Sequence, residues 1–77
     1  MSNDKEISYN VGHIAKKIIQ IMHEKKLTAY QLSLTSGVDR AALSRILKGN
    51  SGLTVTTLLK IFDGLEISPE NFFKGFG

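Results

Sequence analysis

Four places in this chain share a three-part phrase: an apolar residue, then Ser, Thr or Asp, then a second apolar residue four positions after that oxygen-bearing residue. The four are Leu27-Thr28 with Leu32, Val38-Asp39 with Leu43, Leu53-Thr54 with Leu58, and Ile67-Ser68 with Phe72. Each phrase marks a helix start. The oxygen accepts from a free N–H of the first turn, and the apolar pair staples the incoming chain to the helix. A further helix precedes them. Val11, Ile14, Ala15, Ile18 and Met22 form a stripe of 3.6-residue period, Ile19 and Ile21 widen it, and Asn10 is its candidate cap. No alternating strand pattern is present. Pro69 stands in the first turn of the last helix, where its missing N–H costs nothing. The expected fold is all-α, a compact five-helix bundle over residues 10–77 behind a flexible leader at 1–9.

Size makes those caps matter. A chain of 77 residues is one domain. A domain of this size buries only about 60% of its unfolded surface. A cap worth roughly 1 kcal/mol then helps decide whether a short helix forms. The chain has no cysteine, so disulfides and thiolate metal sites are excluded. No apolar run approaches the ~20 residues of a membrane span. The opening MSNDKEISYN lacks the apolar core of a signal peptide. A cytoplasmic location is expected.

The most informative stretch is LTAYQLSLTSGVDRAALSRILKGN, Leu27 to Asn50. It reads as a short helix, a tight turn and a second short helix. Thr28 and Gln31 have the spacing of a capping box. Gly37 follows Leu34, the last apolar position of the first helix, and lets the chain turn sharply through a left-handed conformation. Asp39 caps the second helix, whose apolar side is Leu43, Ile46 and Leu47, and Gly49 ends it. Its other side is Arg40, Ala41, Ser44, Arg45 and Lys48. These positions fall on one stripe. The stripe holds three cations, one hydroxyl and no acid.

Charge follows the same stretch. The whole chain carries +3 with a pI of about 9.4. Residues 25–60 alone net +5, from six basic residues and the single acid Asp39, and the remainder nets −2. A concentrated positive face suits phosphate. Arginine can donate two hydrogen bonds to guanine O6 and N7, and a helix enters the major groove near its N-terminus. Arg40 and Arg45 are therefore the first candidates for reading base edges.

This stretch resembles the helix-turn-helix of the phage repressor family, the lambda repressor/Cro-like or XRE type. The likeness extends over roughly residues 11–73. Val11–Lys26 is similar to the family's first helix, Leu53–Leu65 to its fourth, and Ile67–Phe73 to its short fifth with the opening Ile-Ser-Pro-Glu. The resemblance implies a sequence-specific, double-stranded-DNA-binding transcription regulator, a repressor. It places base reading on Arg40, Ala41 and Arg45, with Ser44 beside them. Ala41 offers only a methyl group, suited to a thymine methyl. Phosphate contacts are expected from Thr28, Ala29 and Tyr30 at the start of the first motif helix, and from Lys48, Asn50 and Ser51. The chain departs from the family pattern at Ala29, where glutamine is usual, at Ser33, where alanine is usual, and at Glu66, where glycine is usual. A homodimer through the C-terminal helix region is implied, with Phe72, Phe73 and Phe76 as its rings.

Other chemistry finds no support. His13 and His23 have no ligand-spaced partners. Asp63, Glu66 and Glu70 form no acid–base pair, and no nucleophile motif or phosphate loop is present. Neither an enzyme nor a cofactor, metal or small-molecule substrate is expected. The competing reading is a protein-interaction module on the same fold, antitoxin-like or anti-repressor, which the bare Ala41-Ala42 pair would suit. RNA binding ranks below both, because the stacking aromatics of single-strand readers are missing.

Overall fold

The computed structural model describes residues 11–49 and 53–74. The described residues form five helices: α1 (Val11–Lys25), α2 (Ala29–Ser36), α3 (Arg40–Leu47), α4 (Val55–Leu65) and α5 (Pro69–Phe73). The leader, Asn10, Asn50, Ser51 and Phe76 lie outside the described residues.

All four capped starts form. Thr28, Asp39, Thr54 and Ser68 are the N-caps of α2 to α5, and each side chain accepts from a first-turn N–H. The apolar partners of these caps then go inward. Leu32, Leu43 and Phe72 are fully buried, and Leu58 packs against the core at its edge. From α1, Ile14, Ala15, Ile18, Ile21 and Met22 enter the core, but Ile19 is 38% exposed. The widened face of α1 is thus real at Ile21 and absent at Ile19. Two residues apart on a helix lie about 200° round, so one packed side cannot hold both.

α2 packs chiefly against α4, and α1 and α2 both pack on α3. Leu34 takes no part in this. It is 64% exposed, and the inward positions of α2 are Leu32 and Ser36. A four-residue step keeps one face, and Leu34 lies between the two, on the far side. α2 and α4 approach closely at the end of α2. A Cβ built on Gly64 of α4 would stand 2.8 Å from both Ser36 N and Ser36 Cβ. The Thr35 hydroxyl donates to the Gly64 carbonyl at 3.2 Å, tying the two helices together.

The C-terminal rings are drawn into the same core. Phe62 and Phe72 lie 4.6 Å apart between centroids, and Phe73 meets Phe72 edge-on at 5.0 Å. Phe72 is fully buried and adds nothing to the outer surface. As a member of the expected dimer contact it is corrected: its area is spent inside its own domain. Phe73 remains half-buried.

Two helices end on charged residues in the left-handed region, Lys26 at φ 58° and Glu66 at φ 57°. At Glu66 the hydrogen bonds Ile67 N to Phe62 O and Glu66 N to Asp63 O, both 3.1 Å, complete a Schellman motif. The helix end is therefore the one glycine would make, despite the side chain. A left-handed L-residue costs about 1–2 kcal/mol, partly offset by the greater unfolded-state entropy of glycine. Glu66→Gly is expected to stabilise the domain by about 0.5–1 kcal/mol, raising the melting temperature by a few degrees in a thermal scan. No change or a fall would show that the Glu66 backbone carries no strain.

Candidate nucleic-acid interface

The site is assembled by two caps and one glycine. Thr28 N donates to Gln31 Oε1 at 2.9 Å, and Gln31 N donates to Thr28 Oγ1 at 3.1 Å, so the capping box closes in both directions. Helix geometry leaves the first four N–H groups without internal partners. The box satisfies two of them, those of Thr28 and Gln31, and not those of Ala29 and Tyr30. Gly37 then takes φ 76°, and its N–H returns to Ser33 O at 3.0 Å. Ser36 Oγ accepts from Val38 N at 3.1 Å, which fixes the turn, and Val38 is buried beneath it. Asp39 Oδ2 accepts from Ala41 N at 3.1 Å and Ala42 N at 3.3 Å, starting α3. Ser33, in place of the smaller alanine, donates its hydroxyl to Tyr30 O at 2.7 Å. That bond removes the cost of a half-buried hydroxyl.

α3 is held by Leu43 and Ile46, which are buried, and Leu47, which is half-buried. Arg40, Ala41, Ser44, Arg45 and Lys48 are all exposed. The candidate reading stripe is therefore one continuous outward face. Lys48 caps the helix, and Gly49 at φ 82° turns the chain beside Gly12, where an added Cβ would lie 3.5 Å from Gly12 Cα. Among the phosphate candidates, Thr28 and Tyr30 are exposed and Ala29 is half-buried.

One contact was not foreseen from the sequence. The Arg40 guanidinium carbon lies 5.5 Å from the centre of the Tyr30 ring. The two residues start different helices, ten positions apart in the chain. No local spacing rule connects them; only the angle of the turn brings them together. Gly64 was missed as well, although a glycine inside a helix, costing about 1 kcal/mol against alanine, is a signal to look for a packing reason.

Two short helices crossing at a tight turn, the second projecting a basic face from a small all-helical core, define the helix-turn-helix class of nucleic-acid-binding domain. The family model for the Cro/C1-type HTH DNA-binding domain matches residues 17–74, and the chain belongs to that family. No curated protein matches the chain. Among solved structures, the chain is similar to the wild-type restriction-modification controller protein C.Esp1396I, with 32% identity, 86% of each chain covered and a TM-score of 0.81. The same controller protein bound to a 19-base-pair DNA duplex matches with a TM-score of 0.81 and 32% identity over 86% of this chain and 88% of that one. Its tetramer on a natural 35-base-pair operator matches equally, at 32% identity over 86% and 87%, with a TM-score of 0.81.

Among the described residues no helix is long and apolar enough to cross a membrane, and no three metal-ligating side chains gather.

Proposed function

We propose that this protein is a sequence-specific transcription regulator, a repressor, that binds double-stranded DNA with α3 in the major groove. The observation that carries the proposal is the stripe Arg40, Ala41, Ser44, Arg45 and Lys48, every member exposed, on a helix whose opposite side is locked into the core. Arg40 and Arg45 read base edges, Ala41 and Ser44 let the helix approach the groove floor, and Lys48 contacts phosphate. The N–H groups at the start of α2, with Thr28 and Tyr30, bind the backbone of the duplex. The solved relative's tetramer on its operator supports action as a homo-oligomer. In this chain Val55 is 74% and Leu59 50% exposed, one turn apart on α4. With half-buried Phe73 they supply apolar area for a two-fold contact. Nothing in the site calls for a reaction, and the protein acts by occupying DNA.

Selection of bound sequences from random duplex DNA tests this directly. The expected product is a two-fold symmetric site with half-sites about 34 Å apart, one helical turn. On that site Arg45→Ala should lose roughly 1–3 kcal/mol of binding and relax the preference at one base pair in each half. Retention of full affinity and preference would remove Arg45 from readout. Recovery of no preferred sequence, together with salt-independent capture of a protein partner, would favour the interaction-module alternative.

A further inference from the structure

We infer that Tyr30 is a positioning residue for Arg40, so that the helix gripping the DNA backbone also sets the aim of the first base-reading side chain. This rests on the proposed role of Arg40 and extends it to a residue of the neighbouring helix.

The geometry supplies the argument. Arg40 lies at the first position of α3 and Tyr30 at the second of α2. The guanidinium carbon is 5.5 Å from the ring centre, inside the ~6 Å reach of a cation–π contact. Asp39 is the acid next to Arg40 in the chain, but its Oδ2 is occupied by two backbone N–H groups. The contact that Arg40 makes in the structure is with a ring face. That choice has a chemical consequence. A carboxylate takes the in-plane N–H edges of guanidinium, the same edges that guanine O6 and N7 require. A ring offers no in-plane acceptor pair, so it does not compete for both of those donors as a carboxylate does.

Tyr30 is itself well fixed at the backbone. Its carbonyl accepts from Ser33 Oγ at 2.7 Å, and the capping box ties Thr28 to Gln31 across it. Its side chain is 53% exposed, so the ring is available to the solvent-facing stripe rather than consumed by the core. An arginine otherwise gives up much side-chain freedom on binding a base. A ring that confines the guanidinium beforehand reduces that loss. Against the duplex, water leaves the pair and the contact strengthens.

The test is a double-mutant cycle on the selected duplex, using Tyr30→Leu, Tyr30→Phe and Arg40→Ala. The exposed ring makes all three variants expected to fold, and far-ultraviolet circular dichroism verifies it. Tyr30→Leu should weaken cognate binding about fivefold to thirtyfold when Arg40 is present, and far less when Arg40 is already alanine. The loss should be greatest at the base pair whose preference Arg40→Ala relaxes, with the salt slope unchanged. Tyr30→Phe keeps the ring and should keep most of the coupling. In the free protein, the Arg40 side-chain protons should be shifted upfield by the ring in the wild type and Tyr30→Phe, and not in Tyr30→Leu. Equal losses from Tyr30→Leu in both backgrounds, or equal losses from Tyr30→Leu and Tyr30→Phe, would overturn the inference and leave Tyr30 as an independent backbone contact. A wild-type protein without sequence preference would overturn the DNA reading itself, and the positioning role with it. A selective wild type without coupling sinks only the role of Tyr30.

Discussion

Gly64→Ala is expected to cost about 2–3 kcal/mol of folding stability, although it adds a single methyl group. The added methyl would sit 2.8 Å from Ser36 N and 2.9 Å from Ser36 Cα. Those are backbone atoms at the end of α2, so no side chain can rotate away. Relief requires α4 to shift from α2, its principal packing partner. That shift would stretch the Thr35–Gly64 hydrogen bond and open the layer around Ile61, Phe62 and Leu65. In a domain of this size the expected fall in melting temperature is roughly 10–20 °C. Helix propensity points the other way, since alanine favours an exposed helix interior over glycine by about 1 kcal/mol. The sign of the effect therefore decides between packing and propensity. A melting temperature that holds or rises would mean that α2 and α4 are not so closely apposed. Because the α2–α3 turn rests on that contact, DNA affinity should fall along with stability.

The second large effect is ionic. Binding should weaken about a thousandfold between 50 mM and 200 mM monovalent salt if a dimer neutralises roughly six phosphates. The expectation follows from how the basic residues are placed. Residues 25–60 net +5, and Arg40, Arg45 and Lys48 of that stretch share one exposed face. Neutralised phosphates release condensed counterions, and that gain shrinks as bulk salt rises. Lys48→Ala should lower the log–log slope by about one per protomer bound, with little change in base preference. Arg40→Ala and Arg45→Ala should instead alter preference at defined base pairs. Titrations of each variant at several salt concentrations separate the two classes. A flat salt profile would mean that the basic stripe does not meet phosphate.

The two expectations draw on different kinds of information. The four capped starts, the α1 stripe, the left-handed turn at Gly37 and the outward basic face were legible because each depends on residues within one or two helical turns. A cap bonds to an N–H two or three residues on, and a buried stripe repeats every three or four. Ile19 was misplaced for the complementary reason, and the exposed Leu34 shows the same: hydrophobicity states that a side chain prefers burial, not whether a partner helix reaches that side. Phe72 entered the core as the staple pattern requires, and its loss from the association surface follows from the Phe62–Phe72 packing, which joins distant residues. Glu66 shows the limit of residue preference. The chain ends α4 with a left-handed turn there although the residue is not glycine, because the two Schellman hydrogen bonds and Ile67 packed against the core outweigh the strain.

Local order, then, is written in the chain itself: five helices, their starts, and the face of α3 that turns outward all follow from hydrogen bonds and periodicities that close within a few residues. What the sequence could not fix is how those helices meet. The approach of Gly64 to Ser36, and the ring of Tyr30 beneath the Arg40 guanidinium, depend on crossing angles. Those angles are set by packing the whole core at once, a constraint that no stretch of the chain carries by itself.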